Sequence, residues 1–154
     1  MLRGATLFAQ WLGKPHRATK DLDLLGRGGP DIERLVRVFR DVAVVACPED
    51  GMVFDADAVV GRAIREAALY QGVRVVVPGN LAGAQFKVQV DIGVGDAIVP
   101  RPEAIDLVPL LPLPAPRLRA YAKETVVAEK LEALVVLGLA TSRMKDLYDL
   151  DLLR

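Results

Sequence analysis

Between Gln85 and Ile92 the chain alternates without a break: Phe86, Val88, Val90 and Ile92 are apolar, and Gln85, Lys87, Gln89 and Asp91 are polar. A period of two residues fits an extended strand with one face packed and the other open. A helix of the same residues would scatter its apolar side chains around the axis. The segment therefore belongs in a sheet covered on one side, and its open side carries the Asp91 carboxylate. Asp21-Leu22-Asp23-Leu24-Leu25 repeats the pattern in brief. Residues two apart on a strand share a face, so Asp21 and Asp23 project together.

Other segments fill in the pattern. Ala5 to Leu12 suits a short helix opened at Gly4. Pro30 can start a helix running to about Arg40, with Ile32, Leu35, Val36 and Phe39 at helical spacing. Val42 to Cys47 reads as a short strand, and Ala56 to about Glu66 as a helix or an irregular crossing. Ala68 to Tyr70 and Val73 to Val77 read as a hairpin about Gln71-Gly72, with a further turn at Pro78-Gly79-Asn80. Six prolines between Pro100 and Pro116 exclude a helix there and predict an extended crossing. Lys123 to Gly138 predicts a helix with Val127, Leu131 and Leu134 as its apolar repeat. A second helix follows from Ser142, a good N-cap, to Leu153. The order is helix, strand, helix, antiparallel meander, then two helices. That predicts an α+β fold in one domain over residues 1–154: a sheet-bearing core at 1–100, the proline-rich crossing at 101–122 and a helical pair at 123–154.

Composition narrows the function classes. At 154 residues, 52% apolar and 26% charged, the chain can bury a core. Lys+Arg and Asp+Glu are each 20, so no global basic field exists and nucleic-acid contacts must come from a local patch. Cys47 is the only cysteine, so an intramolecular disulfide is excluded and a reducing, cytoplasmic setting is expected. No apolar run approaches the ~20 residues of a membrane span. The ends are abrupt: Leu2 to Trp11 is core-like from the start, and Leu147 to Leu153 is still amphipathic where the sequence stops. A fragment or a minimal version of a larger protein is expected.

Several groups can carry chemistry. Asp21 and Asp23 repel each other unless a cation lies between them, and Mg²⁺ takes one or two carboxylates plus phosphate oxygens. Alone, Asp-x-Asp is as readily a solvated strand face. Gly4-Ala5-Thr6 puts a glycine at a helix start, where backbone N–H groups can approach a phosphate, or it is a plain helix start. Asp91, on another strand with Lys87 four residues before it, completes a carboxylate trio if the two strands are neighbours. Three such carboxylates could serve two metals. Lys130 shares a helical face with Val126, Ala133 and Leu137, so it either snorkels or points into a site. Asp146 and Asp149 sit one helical turn apart, otherwise as surface charge. Lys14, His16, Arg17 and Lys20 form a basic loop before Asp21, suited to a triphosphate or simply to solvent.

In this order the pieces resemble the AbiEii/AbiGii family of nucleotidyltransferase-like toxins, within the DNA polymerase β-like superfamily. The resemblance rests on Leu2-Arg3-Gly4-Ala5-Thr6-Leu7, Lys20-Asp21-Leu22-Asp23-Leu24-Leu25, Gln89-Val90-Asp91-Ile92-Gly93, Glu129-Lys130-Leu131 and Lys145-Asp146-Leu147-Tyr148-Asp149. It implies a mixed sheet with flanking helices and a site dependent on Mg²⁺ or Mn²⁺. It implies that Asp21 and Asp23 hold metal, with Asp91 as third carboxylate. Lys130 matches the family's essential lysine and would contact nucleotide phosphates; Asp146 matches its last characteristic acid. Gly4, Ala5, Thr6 and Lys20 would line the nucleotide. The implied substrate is a nucleoside triphosphate, the acceptor an RNA such as the tRNA 3′ end or a protein hydroxyl, and the partner a cognate antitoxin; no membrane is involved. The family's glycine motif usually continues with Gly or Ser, and in this chain Ala5 follows. Relatives usually carry further helical segments before the position of Met1 and after that of Arg154. The alternative expectation is a truncated, inactive remnant that binds a nucleotide or a partner.

Overall fold

A computed structural model describes residues 1–13, 19–66, 70–95, 98–109, 111–138 and 144–154. The described residues form four α-helices and eight β-strands with both parallel and antiparallel pairings, an α+β fold. They fall into two compact units, Leu2–Asp96 and Ala97–Arg154, with Met1 assigned to the latter. No described helix is long and apolar enough to cross a membrane. The basic loop residues Lys14, His16 and Arg17 and the N-cap expected at Ser142 lie outside the described residues.

The first unit runs β1 (Leu2–Arg3), α1 (Thr6–Leu12), β2 (Asp21–Gly26), α2 (Ile32–Ala43), β3 (Met52–Phe54), β4 (Val60–Glu66), β5 (Tyr70–Leu81) and β6 (Ala84–Val94). In the sheet the order is β3-β5-β6-β2-β1, and β4 also pairs with β5. The β2–β6 pairing is parallel; β1–β2, β3–β5, β4–β5 and β5–β6 are antiparallel. The long β5–β6 hairpin closes on Ala82 (φ 50°) and Gly83 (φ 91°), the two left-handed residues of a primed turn. The Asn80 side chain accepts the Gly83 N–H at 2.8 Å.

One face of this sheet is apolar. Val73, Val75 and Val77 of β5 and Val90 and Ile92 of β6 are buried, with Leu22, Leu24 and Val88 packed against them. Helix α2 covers that face with Ile32, Leu35, Val36, Phe39 and Ala43, the i, i+3, i+4 stripe of an amphipathic helix. Asp31 caps it, accepting the Arg34 N–H at 2.9 Å. The alternation of β6 thus does what its period demands, and its polar residues face away from the core.

Three local expectations are corrected. Val42 and Ala43 close α2, and Val44 to Cys47 are exposed and belong to no strand, so the valines there do not extend a sheet. The helical stripe carries through to Ala43 and outweighs the β-propensity of Val42. Val60 to Glu66 is strand β4, paired along its whole length with β5, and Gly61 lets it pass close to Ile32 and Val36 of α2. Finally, Gln71-Gly72 and Pro78-Gly79-Asn80 are not turns. β5 runs straight through both, since Phe86 packs where a Gly79 side chain would lie and the Pro78 carbonyl accepts the Asp55 N–H.

In the second unit, β7 (Glu103–Asp106) and β8 (Arg117–Ala120) pair antiparallel, so a strand sits inside the proline-rich crossing, between Pro102 and Pro109. Helix α3 (Lys123–Leu137) ends at Gly138 (φ 61°), and α4 is Met144–Leu152. The inward face of α3 is not the Val127, Leu131, Leu134 repeat: Leu131 is 50% exposed. It is the face of Val126, Lys130, Ala133 and Leu137, with Val126 buried.

Candidate active site

Strand register builds the candidate site on the polar face of the first unit. Asp23 and Asp91 are register partners on the parallel strands β2 and β6, and Asp21 is the partner of Gln89. The expectation that the two acidic strands are neighbours is therefore met by the backbone pairing itself. Adjacent strands lie about 4.8 Å apart, so in-register side chains on one face are nearest neighbours. The same row continues outward: Arg3 of β1 is opposite Asp23, Arg74 of β5 is opposite Asp91, and Arg62 of β4 is opposite Arg74. Five strands thus contribute Arg3, Asp23, Asp91, Arg74 and Arg62 in one line.

Arg3, Asp23, Asp91 and Gly93, with Ile64, Gln71 and Gly72, line a cleft of about 40 Å³. That volume holds an ion or a water rather than a nucleotide. Two glycines open the space. Gly4, at φ 75°, lies so close to Asp23 that a Cβ would collide with its carboxylate. Gly93 lets the Arg3 guanidinium lie on the backbone; a Cβ there would meet Nη2 at 2.7 Å. The loop after β1 therefore covers Asp23 directly. Helix α1 behind Gly4, Ala5 and Thr6 has only seven residues and no side-chain cap, so its dipole adds little. Lys20 is exposed just before β2.

Each acid has its own surroundings. Asp21 Oδ1 accepts the Gln89 amide N–H at 2.6 Å. Asp91 accepts two hydrogen bonds from Arg74, Nε to Oδ1 at 2.7 Å and Nη2 to Oδ2 at 2.6 Å. This fork is partly buried, with side-chain exposures of 24% for Arg74 and 11% for Asp91. Among the described residues no three His, Cys, Asp or Glu side chains gather as a metal-ligand set. The arginine fork on Asp91 and the amide on Asp21 explain that arrangement. Asp21 and Asp23 share one strand face, the two-carboxylate pattern that a hard divalent ion takes, and Asp23 lies beneath Gly4 with contacts of its own.

The residues expected on the terminal helices form a second cluster in the second unit. Lys130 Nζ donates to Asp146 Oδ1 at 2.7 Å and to Asp149 Oδ2 at 2.8 Å. Asp149 is fully buried, Asp146 nearly so, and the Lys130 side chain is 12% exposed. One ammonium between two carboxylates, from helices α3 and α4, is an ion triad that clasps the pair.

Arg74, Gln89 and Arg3 take no site role from the sequence alone, although Arg3 and Gln89 stand within the segments that bear the resemblance. The signal that finds Arg74 is the hairpin register: counting outward from Leu81 and Ala84 sets Arg74 opposite Asp91. Asp149 was noted only as a neighbour of Asp146; its complete burial makes it an equal member of the triad.

A family model described as "Nucleotidyl transferase AbiEii toxin, Type IV TA system" matches residues 1–154, the whole chain. No curated protein and no solved structure matches it.

Proposed function

Because the chain belongs to the AbiEii family of nucleotidyl transferase toxins from type IV toxin–antitoxin systems, we propose that it transfers a nucleotidyl group from a nucleoside triphosphate to an RNA acceptor, the tRNA 3′ end being the first candidate. The reaction depends on Mg²⁺ or Mn²⁺ held by Asp21 and Asp23. The observation that carries this reading is the Asp21–Asp23 pair on one strand face, with Asp23 lining a cleft beneath the Gly4 backbone. A bound divalent ion would supply positive charge to the triphosphate and lower the pKa of a coordinated oxygen. The chain's own residues do the rest. Gly4 lets the loop after β1 lie directly over Asp23, and Gln89 holds the Asp21 carboxylate in place. Arg3 lies beside Asp23 in the same cleft, and the Arg74–Asp91 fork fixes the neighbouring strand of that face. Lys20, exposed before β2, adds attraction at longer range.

Support for Lys130 and Asp146 in catalysis comes from the family resemblance; their geometry supports a clasp between α3 and α4. The balanced charge of the whole chain favours an acceptor held at a local patch over one held by a broad basic surface.

The test is incorporation of labelled nucleotide into bulk tRNA, with Mg²⁺ and each of the four triphosphates, comparing wild type with Asp23→Ala. Labelling by wild type alone supports the reading. Equal labelling by both rules it out. Triphosphate binding in calorimetry without any labelling would point instead to an inactive nucleotide-binding relative.

A further inference from the structure

We propose that Gln89 is a positioning residue: its amide holds the Asp21 carboxylate by one oxygen and leaves the other open to a divalent cation. This rests on the metal-dependent reading above and names the side chain that prepares one of its ligands.

The first ground is how Asp21 is engaged. Gln89 Nε2 donates to Oδ1 at 2.6 Å, and among the described residues no donor reaches Oδ2. A neutral amide fixes a carboxylate without cancelling its charge, whereas a guanidinium fork does both. Two neighbouring rows of the sheet show the contrast. Asp91 is held by Arg74 through both oxygens, at 2.7 and 2.6 Å, and its charge is balanced there. Asp21, one row along, is held through one oxygen by a group that carries no charge.

The second ground is where the contact comes from. Asp21 and Gln89 are register partners on the parallel strands β2 and β6. Their side chains leave adjacent strands on one face, so the sheet itself sets the meeting and no loop is needed. On the other side of Gln89 stands Val76 of β5, which offers the amide no polar side chain. The amide is therefore turned to β2. An ionised carboxylate only accepts, so it is the amide N–H that faces Asp21.

The third ground is the cost of binding an ion. A loose aspartate samples several rotamers and gives them up when it ligates. The Gln89 bond makes that choice beforehand, as outer partners do for metal ligands generally. A hard cation that takes Oδ2 then meets an oriented and still negative carboxylate.

The test is Mn²⁺ titration without nucleotide, read by the spin resonance of free Mn²⁺, with urea unfolding of each variant beside it. Asp21→Asn should weaken binding by about tenfold or more, as loss of a ligand does. Gln89→Met keeps the side-chain length, removes the donor and should weaken binding about tenfold. In the Asp21→Asn background the same Gln89→Met change should shift affinity by less than about twofold, because its route through Asp21 is gone. Gln89→Arg ties the strands at least as firmly but neutralises Asp21. It should bind Mn²⁺ at least about threefold more weakly than Gln85→Arg, which adds the same charge about 13 Å along the strand, past the screening length. A Gln89 that served only to hold β2 to β6 would leave the arginine variant unaffected beyond that reference. Gln89→Met with wild-type affinity overturns the proposal, as does an undiminished loss in the Asp21→Asn background, or a Gln89→Arg no weaker than Gln85→Arg. The metal-dependent reading survives each of these. Asp21→Asn with wild-type affinity also overturns the proposal. If Gln89→Met does not fold by circular dichroism, Gln89→Asn, whose amide is one methylene short, is read in its place. A wild type that binds no Mn²⁺ overturns this proposal and the reading beneath it together.

Discussion

Replacing Lys130 by methionine tests whether the triad is a clasp or a surface charge cluster. Methionine keeps the unbranched stem and the apolar contacts along α3, and removes only the ammonium. Two carboxylates then lose the donor that lies 2.7 and 2.8 Å away, and one of them, Asp149, has no solvent exposure. Removing one partner of a buried ion pair costs about 3–5 kcal/mol, because the remaining charge stays in a poorly solvating place. For a chain of this size each kcal/mol lowers the melting temperature by about 2–4 °C, so a fall of roughly 6–20 °C is expected. The assay is thermal unfolding followed by circular dichroism, with urea denaturation as a second measure. Asp149→Asn should cost more than Asp146→Asn, since Asp146 retains 7% side-chain exposure and Asp149 none. The double variant Lys130→Met/Asp149→Asn should be less destabilised than the two single effects added, by about 1 kcal/mol or more. A Lys130→Met melting temperature within about 2 °C of wild type would refute the clasp.

Other substitutions probe other parts of the argument. Gly4→Ala forces a Cβ into Asp23 from a left-handed backbone; the conformational cost of about 1–2 kcal/mol plus about 1 kcal/mol for moving the aspartate off its rotamer should lower the urea midpoint and weaken Mn²⁺ binding. Unchanged values for both would mean that Gly4 does not shape the site. Ala82→Asn places a residue tolerant of φ 50° beside Gly83 and should stabilise the protein by about 0.5–1 kcal/mol in the same unfolding assay. The Cys47 thiol is raised above its ordinary pKa, by desolvation in its turn and then by the carboxylates of Asp50 and Glu49. A raised pKa lowers the thiolate fraction at neutral pH, so alkylation should be slower than for free cysteine, and Asp50→Asn should speed it.

The sequence is most readable where one period has no rival. The alternation from Phe86 to Ile92 could be nothing but a half-packed strand, and Asp21 to Leu25 followed the same rule. The proline spacing and Gly138 similarly bounded the terminal helices. It misled where local preference and tertiary context disagree. The valines after Phe39 favour strand in isolation, yet the packing stripe of α2 extends to Ala43. Gly79 resembles a turn residue, yet it makes room for the Phe86 ring inside a strand. The candidate site was legible in its acids, since Asp-x-Asp on a strand projects two carboxylates by geometry alone. Its cations were not, because Arg74 meets Asp91 through a register that a turn at Ala82-Gly83 sets and a turn at Pro78-Gly79-Asn80 would not.

The parallel pairing of β2 with β6 has a consequence for the order of assembly. Asp21 and its partner Gln89 lie 68 positions apart, whereas the β5–β6 ribbon folds back on itself within two residues. Short closures form first and long ones wait for a template, so the ribbon is complete before β2 can dock on it. During synthesis β2 leaves the ribosome long before β6, so Asp23 meets Asp91 only once the ribbon arrives. Under mild denaturant β2 should detach before β5 and β6 separate, with its amide protons exchanging faster than theirs. A toxin-family chain with this wiring brings Asp23 beside Asp91 late, when the β5–β6 ribbon already stands.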